Sequence, residues 1–278
     1  MDINTISSSL HIHDDGIWYS TDNQAISYPC DGNESYFMVE DTSFWFRHRN
    51  ECIVSVVKSF PPPDNAPIFD IGGGNGFVSL GLAQGGFNVV LVEPGRAGAA
   101  NAKKRGIKDV ICATTETANF QPHSLPAIGL FDVIEHIDDH ISFLRSAREL
   151  LNHGGYLYAT VPAFSFLWSQ EDVLAGHHRR YTLNSISDTL KTSGFEVLFS
   201  SYIFRFLPAP IFLLRSLPHL IGLSKKTQTL SNVNQDHTAP NGPLARIFNA
   251  MLKPEIEKLR SKKAMRFGGS CLIVAKCP

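Results

Sequence analysis

One stretch of ten residues decides the fold: Ile68-Phe69-Asp70-Ile71-Gly72-Gly73-Gly74-Asn75-Gly76-Phe77. Its apolar start completes a short run, Ala66–Ile71, that predicts a buried β-strand, and a helix is predicted over Gly76–Gln84. Glycines between a strand and a helix allow the backbone to turn sharply and to approach a ligand closely. The first N–H groups of the helix have no partner inside it. The stretch therefore predicts a nucleotide-type ligand site at a strand-to-helix turn.

The spacing of the glycines discriminates between the ligands that such turns bind. The dinucleotide fingerprint, G-x-G-x-x-G, would need glycine at the position that Phe77 occupies. A Walker A phosphate loop would need Gly-Lys-Ser/Thr, which is absent from the stretch. Neither pattern therefore describes this turn. The pattern that fits is D-x-G-x-G-x-G, formed by Asp70, Gly72, Gly74 and Gly76, with Gly73 inside it.

An acidic residue follows the second predicted strand, Asn88–Val92. Glu93 comes directly after this strand, and Pro94 comes next. A carboxylate at this place in a Rossmann-type fold accepts hydrogen bonds from the hydroxyls of a ribose. We therefore expect Glu93 and Pro94 to line the ribose side of the ligand site.

Apolar runs and helical segments alternate along most of the chain. This alternation predicts an α/β fold, with a parallel sheet covered by helices on both faces. Helices are predicted at residues 42–59, 76–84, 95–105, 139–151 and 183–193, and near Leu244–Arg260. The predicted strands are Ala66–Ile71, Asn88–Val92, Asp109–Thr114, Ala127–Val133, Tyr156–Val161, Phe195–Tyr202 and Gly269–Lys276.

Over residues 42–202 and the final strand, the chain resembles the class I S-adenosylmethionine-dependent methyltransferases. The resemblance implies a Rossmann-like, mostly parallel sheet of seven strands, with an N-terminal lid segment and an insertion before the last strand. It implies that the turn Asp70–Gly76 cradles the amino-acid part of the cofactor and that Glu93 holds the ribose. The segment Gly129–Ile137, which contains Phe131, resembles the motif beside the methionine end. The segment Leu150–Leu157 resembles the L-x-x-G-G turn into the fifth strand.

Two positions depart from the pattern of that family. The family often has an acidic residue after the third strand for the adenine amino group, where this chain has Ala113-Thr114-Thr115-Glu116. We expect Thr115 and Glu116 to take the adenine contacts. The family often begins its fourth strand with Phe-Asp, where this chain has Leu125-Pro126.

The predicted first helix, at residues 42–59, precedes the first predicted strand and is expected to cover the cofactor. Asp41, Thr42 or Ser43 is predicted to cap it. Arg49 is expected to neutralise the cofactor carboxylate, with Arg47 as the second choice, and Trp45 is expected to contact the cofactor. The alternative is a surface arginine beside core aromatic residues.

Methyl transfer from a sulfonium requires alignment of the nucleophile, the methyl carbon and the leaving sulfur, and a base helps where the acceptor carries a proton. His136 is the first candidate for the base and His178 the second. His136 could instead only fix the local loop. The four-residue spacing of His136 and His140 is typical of metal ligands on one face of a helix. Because this segment joins a strand to a helix, we expect no metal there.

A dense polar and aromatic segment follows the fifth predicted strand. Trp168, Arg179 and Tyr181 are expected to bind the acceptor, because a similar His and Arg-Arg-Tyr run borders the acceptor pocket in a bacterial small-molecule subgroup of the family. The alternative is structural: Arg179 and Arg180 could pair with Glu171 and Asp172 and hold the loop.

Composition and charge limit the class of protein. The chain has 278 residues with a formal net charge of −1, which disfavours nucleic acid as a partner. Five cysteines and a polar N-terminus predict a cytoplasmic protein. The apolar stretch 203–223 contains two arginines and three prolines, so no transmembrane segment is expected. This stretch could cover a substrate, form a dimer or pack on the sheet.

These observations predict one methyltransferase domain over residues 1–278 with four parts: a lid (1–60), a cofactor-binding core (61–203), an insertion (204–265) and a final strand (266–278). The expected reaction converts S-adenosylmethionine to S-adenosylhomocysteine and methylates an oxygen, nitrogen or carbon of a small-molecule or lipid-like acceptor. A homodimer stays open. The alternatives are a non-catalytic protein that binds the adenosyl cofactor and a nicotinamide-dependent oxidoreductase.

Overall fold

The computed structural model describes residues 3–21, 37, 39–222 and 243–278, with side chains in the last range from residue 252 onward. The predicted polar loop near 224–241 lies outside the described residues. The described strands are β1 (Leu10–Ile12), β2 (Trp18–Ser20), β3 (Ile68–Ile71), β4 (Val89–Val92), β5 (Asp109–Cys112), β6 (Leu125–Phe131), β7 (Leu151–Pro162), β8 (Glu196–Ile203) and β9 (Ser270–Lys276).

The described helices precede, connect and follow these strands. They are α1 (Phe44–Ser59), α2 (Phe77–Gln84), α3 (Arg96–Lys104), α4 (Thr115–Ala118), α5 (His140–Leu150), α6 (Gln170–Ala175), α7 (Leu183–Thr192), α8 (Pro208–Ile211), α9 (Leu217–Leu220) and α10 (Pro243–Arg260). A π-helical turn, Phe212–Ser216, joins α8 to α9.

The strands form one sheet in the order β1-β2-β5-β4-β3-β6-β7-β9-β8. Neighbouring strands from β2 to β7 run parallel, whereas β9 runs antiparallel to β7 and β8. The predicted α/β fold with a mostly parallel sheet is confirmed, but the predicted count of seven strands is wrong, because the sheet has nine. The two additional strands are β1 and β2, an antiparallel hairpin that extends the sheet beyond β5.

Helices cover both faces of the sheet, as predicted. On one face, α1, α2 and α10 contribute buried residues such as Val56, Leu82 and Ile256 to a core under β3 and β6. On the other face, α5 and α7 contribute Leu144 and Ile186. Full burial of one such aliphatic side chain stabilises the fold by about 1.5–3 kcal/mol. These two cores hold the sheet rigid beneath its carboxyl edge.

Side-chain caps determine where several elements begin and end. Helix α1 begins after Ser43, whose hydroxyl accepts a hydrogen bond from the Trp45 N–H at 3.2 Å, so Ser43 is the cap among the three predicted candidates. Strand β5 stops at Cys112, two residues before its predicted end, because Thr114 caps α4. Strand β6 stops at Phe131, because Asp132 adopts a left-handed conformation with φ +58°. The carboxyl ends of β3 to β6 thus open into loops along one edge.

The described part of the insertion packs against α1. Helix α10 contacts α1 along the face that carries buried Ile256 and Leu259. Glu255 is 1% exposed and accepts hydrogen bonds from the Phe204 N–H at 2.9 Å and the Arg205 N–H at 2.7 Å. Glu255 therefore ties α10 to the chain that leaves β8.

Among the described residues, no helix combines the length and the apolar character needed to cross a membrane.

Candidate functional site

The glycine-rich turn joins β3 to α2 with three residues in the left-handed region. Gly72, Gly74 and Gly76 have φ values of +71°, +54° and +78°. A Cβ on Gly76 would lie 2.8 Å from the Ala102 Cβ, so glycine lets α3 approach the turn. Within the part of the chain that the structure describes, a Cβ on Gly74 would meet no atom within 4 Å. Gly74 therefore presents bare backbone to open space at the carboxyl edge of the sheet.

Asp70 stabilises this turn from inside the protein. Its side chain is 1% exposed and accepts a hydrogen bond from the Ser79 hydroxyl at 2.7 Å, which links β3 to α2. Burial raises the pKa of Asp70 to about 6, although the Ser79 hydroxyl and the nearby Arg49 work in the opposite direction. Asp70 thus shapes the turn rather than lying open to solvent.

Glu93 connects the glycine-rich turn to the end of β4. One carboxylate oxygen accepts the Gly74 N–H at 2.9 Å, and the other accepts the Gly95 N–H at 2.8 Å. Burial raises the pKa of Glu93 to about 7, although these two N–H groups favour the ionised form. Each oxygen has two lone pairs, so each can accept a second hydrogen bond, for example from a ribose hydroxyl.

Sequence reasoning missed Glu40, which lies beside the turn. Glu40 is 8% exposed and contacts Arg105 at 2.8 Å and the Asn75 amide at 3.5 Å. Burial raises the pKa of Glu40 to about 7. No motif or periodic pattern of apolar residues in the sequence marks Glu40, because its partners Asn75 and Arg105 are distant along the chain.

Arg49 lies between α1 and the end of β6 and is 8% exposed. Its Nε lies 3.0 Å from an Asp132 carboxylate oxygen, and its Nη2 donates to the Phe131 carbonyl at 3.2 Å. The guanidinium also lies 5.2 Å from the centre of the Trp45 ring, which stacks on Phe204 at 5.4 Å. The predicted lid residues Arg49 and Trp45 therefore join the aromatic core to the loop after β6.

The other predicted cofactor contacts occupy different environments. The Phe131 ring is 6% exposed and packs in the core beneath α1, which is the environment of a core residue. Pro94 and Thr115 are half-buried, whereas Glu116 is exposed in the first turn of α4. No observation assigns these residues to an adenine, so their roles stay predictions.

A polar cluster of Glu135, His136 and His177 lies beyond Asp132. One potential ligand atom from each residue lies within 4.8 Å of the other two. The rings of His136 and His177 meet edge to face, with their centres 4.7 Å apart. Burial, followed by the neighbouring His177, lowers the pKa of His136 to about 4. Burial and the Asp132 carboxylate raise the pKa of Glu135 well above its usual range.

The second predicted catalytic residue, His178, lies at the surface beside this cluster. Its side chain is 45% exposed, and its Nδ1 lies 3.7 Å from an Asp138 oxygen at the surface. His177 instead joins the cluster, because Gly176 ends α6 in the left-handed region and the His177 N–H bonds back to the Asp172 carbonyl at 2.9 Å. The structure therefore brings His177, which sequence reasoning missed, next to His136.

The loop after β7 is held by charged side chains, as the structural alternative proposed. Arg180 makes two contacts with the Asp172 carboxylate, at 2.8 and 2.9 Å. Arg215, rather than Arg179, pairs with Glu171. Arg180 therefore has the structural pairing that the alternative named.

The three residues expected to bind the acceptor differ in their surroundings. Arg179 donates to the backbone carbonyls of Ile137 and Asp138 at 2.7 and 2.8 Å and also contacts His140. The group of potential metal ligands around His136 contains Glu135 and His177 rather than His140. Tyr181 is 4% exposed in the core, whereas Trp168 is half-buried. Their predicted role in acceptor binding stays a prediction.

Aromatic residues gather where the chain leaves β7 and approaches β9. Phe164 stacks on Phe166 and lies against Phe267, with both ring centres 5.2 Å from its own. Phe164 also stacks on Tyr202 at 4.8 Å. Phe166 and Phe267 remain 48% and 46% exposed. This aromatic cluster forms an apolar surface beside the carboxyl end of β7.

Comparison with known proteins identifies the family. The profile of the family described as "Methyltransferase domain" matches residues 45–199, which is more than half of the chain. A curated relative, the ubiquinone biosynthesis O-methyltransferase of Pseudomonas aeruginosa (strain UCBPP-PA14), is 26% identical over 97 residues. That match covers 33% of this chain and 42% of the relative, so the chain spans less than half of the relative's length.

Solved structures share the fold at low sequence identity. A Thermotoga maritima S-adenosylmethionine-dependent methyltransferase, a possible histamine N-methyltransferase, superposes with a TM-score of 0.54 at 19% identity, covering 89% of this chain and 96% of that one. Phosphoethanolamine N-methyltransferase 2 of Haemonchus contortus, solved with S-adenosyl-L-methionine, gives a TM-score of 0.53 at 17% identity and covers 90% and 57%. The family profile shows that the chain belongs to the methyltransferases, and these structures show that it has the fold of S-adenosylmethionine-dependent members.

Proposed function

We propose that this chain transfers a methyl group from S-adenosylmethionine to a nucleophile of a small-molecule or lipid-like acceptor. One observation carries the proposal: a buried carboxylate, Glu93, meets the open glycine-rich turn, with its oxygen 2.9 Å from the Gly74 N–H. This turn presents bare backbone beside a carboxylate that can accept hydrogen bonds from a ribose. It fits an adenosyl ligand better than a phosphate, because it contains no lysine or serine of a phosphate loop.

The residues present fit this cofactor. A Cβ on Gly74 would occupy space that no atom of the described residues fills, so the turn has room for a ligand. Glu93 would accept hydrogen bonds from the ribose. Arg49, which pairs with Asp132, would also contact the carboxylate of the cofactor's amino-acid part. When bound, S-adenosylmethionine supplies a sulfonium methyl group, which a nucleophile takes by direct displacement while the sulfur keeps the bonding electrons.

The surface beside this site favours an apolar acceptor. Phe166 and Phe267 expose nearly half of their side chains next to Phe164, and exposed aromatic clusters of this kind mark ligand-binding surfaces. The reacting atom of the acceptor would lie towards His136 and His177, which are polar side chains in the loops at the carboxyl edge of the sheet. The name of the curated relative, an O-methyltransferase, supports oxygen as the nucleophile.

A screen of acceptors tests the proposal. Purified protein and S-adenosylmethionine are incubated with paired apolar and hydrophilic hydroxyl and amine compounds, and S-adenosylhomocysteine is measured. We expect turnover with apolar hydroxyl acceptors and its loss in Glu93→Ala, with Glu196→Ala, which removes an exposed carboxylate at the start of β8, as the control. Binding of S-adenosylmethionine without turnover on any acceptor would instead favour the non-catalytic alternative.

A further inference from the structure

Glu135 carries a buried carboxyl group that the described residues leave without a hydrogen-bond partner. It is 1% exposed, and neither of its carboxylate oxygens has a hydrogen-bond partner among the described residues. A buried carboxyl without partners is costly, by about 1–3 kcal/mol or more. A bound ion would give the Glu135 carboxylate a partner. Carboxylates and imidazoles are both ligands of metal ions, and two imidazoles, those of His136 and His177, lie beside Glu135.

The geometry points to a divalent transition-metal ion, of the zinc class, bound by Glu135, His136 and His177. One ligand atom from each residue lies within 4.8 Å of the others. Two ligands about 2.1 Å from one ion are separated by roughly 3–3.5 Å, so small rotations of these side chains complete the site. This assignment replaces the sequence-based expectation of a site without metal.

Both imidazoles are oriented in the way that metal ligands require. The Nδ1 of His177 lies 2.8 Å from the Asp172 carboxylate, which leaves Nε2 to bind an ion. His136 makes a hydrogen bond with the backbone of Gly176. Metal-binding histidines almost always use their second nitrogen in this manner, with a carboxylate or a backbone carbonyl as partner.

The supports of this arrangement are rigid. Asp172 is 1% exposed, and Arg180 holds it through a two-point contact at 2.8 and 2.9 Å. Glu135 and His136 lie in a single 3₁₀ turn, Ile134–His136, directly after β6 and the Asp132 that pairs with Arg49. The ligands therefore come from two loops at the carboxyl edge of the sheet, beside the proposed cofactor site.

The donor set indicates the class of ion. Two imidazoles and one carboxylate suit zinc, iron, cobalt or manganese, whereas magnesium and calcium prefer sites made of oxygen atoms alone. Three protein ligands leave coordination positions open, as in catalytic zinc sites. An oxygen of the acceptor fits such a position, where the ion would favour its deprotonated form. This role of the ion rests on the proposed function, whereas its binding does not.

Metal titration in the absence of cofactor and acceptor tests the site. Chelator-treated protein is titrated with ZnCl₂, CoCl₂, MnCl₂ and MgCl₂, using calorimetry and the visible absorption of bound Co²⁺. We expect one Zn²⁺ or Co²⁺ per chain, at least 100-fold weaker binding in Glu135→Gln, and binding about 10–100-fold weaker in Asp172→Asn. Magnesium is expected to bind much more weakly than zinc.

Two controls keep the result interpretable. His178→Ala removes the adjacent, exposed imidazole and is expected to keep the wild-type affinity for Co²⁺. Glu135→Gln replaces the buried carboxyl with a carboxamide of the same shape and is expected to keep the melting temperature of the metal-free wild type, so a loss of metal binding at equal stability cannot be attributed to unfolding. Absence of binding, equal affinity in wild type and Glu135→Gln, or a loss in His178→Ala equal to that in Glu135→Gln would overturn the site.

The role in methyl transfer is tested separately. If the ion holds the acceptor, chelation abolishes transfer to hydroxyl acceptors while calorimetric binding of S-adenosylhomocysteine persists. Full transfer by chelated protein would overturn this role and leave the proposed methyltransferase function standing.

Discussion

The substitution Gly74→Ala is expected to change the free energy of unfolding only slightly and to weaken binding of the cofactor. The residue has φ +54°, and its new methyl group would lie more than 4 Å from every atom of the described residues outside its immediate chain neighbours. The left-handed conformation costs alanine about 1–2 kcal/mol. The reduced freedom of the unfolded chain offsets about 0.4–1 kcal/mol of that. The free energy of unfolding should therefore fall by only about 1 kcal/mol, or ~2–4 °C in Tm.

The same methyl group enters the space assigned to the cofactor. Forcing a methyl group into a filled space costs about 1–3 kcal/mol. This corresponds to about 5- to 150-fold weaker binding. Calorimetric titration with S-adenosylhomocysteine measures the affinity, and thermal denaturation measures the stability.

Gly86→Ala is the matched control for this variant. Gly86 has φ +95° and equally open surroundings, but it lies before β4, at the opposite edge of the sheet from the turn. The two variants should lose similar stability, and only Gly74→Ala should lose affinity. Wild-type affinity in Gly74→Ala, or the same loss in Gly86→Ala, would refute the placement of the cofactor.

Three further predictions concern charged residues. Because burial raises the pKa of Glu93 from 4.5 to about 7, the unfolded chain ionises first. The free energy of unfolding should therefore fall as pH rises from about 4.5 to 7, and it should fall less in Glu93→Gln. Urea denaturation at several pH values measures both. Arg180→Met, which breaks a buried ion pair with Asp172, should lower the free energy of unfolding by about 3 kcal/mol. Glu255→Leu strips the Phe204 and Arg205 N–H groups of their partner, so limited proteolysis should cut within α10 before the core. Unchanged urea curves for Arg180→Met, or an unchanged digestion pattern for Glu255→Leu, would contradict these two assignments.

The elements that carry the proposed cofactor site could be predicted from the sequence. Strands β3 and β4 are buried along their whole length, so each reads as a continuous apolar run bounded by turn residues. Asp70 and Glu93 then fall at fixed offsets from the glycines, since a strand-to-helix turn allows little variation. The resemblance to the family rested on these same local features.

The hairpin of β1 and β2 could not be predicted in the same way. Each strand has only three residues, which is too short for a periodic pattern to be recognised, and all three residues of β2 are half-buried. The pairing of β2 with β5 joins Trp18 to Ile111, across more than ninety positions of the chain. Contacts of this range leave no local pattern, which is why the sheet was predicted with seven strands.

The side chains of the loop after β7 were also beyond local reasoning. Both His177 and His178 follow Gly176, and their sequence gives no preference between them. The left-handed Gly176 and the bond from the His177 N–H to the Asp172 carbonyl decide which ring faces His136. Similarly, Arg215 from the insertion takes Glu171, a pairing that depends on tertiary packing.

Binding of the adenosyl cofactor is the central claim, and calorimetric titration tests it most directly. Wild-type protein and Glu93→Ala are titrated with S-adenosylmethionine, S-adenosylhomocysteine and NADH. We predict binding of both adenosyl ligands, much weaker binding in the variant, and no binding of NADH. Absence of adenosyl binding, or binding of NADH in its place, would contradict the assignment of this turn and of Glu93.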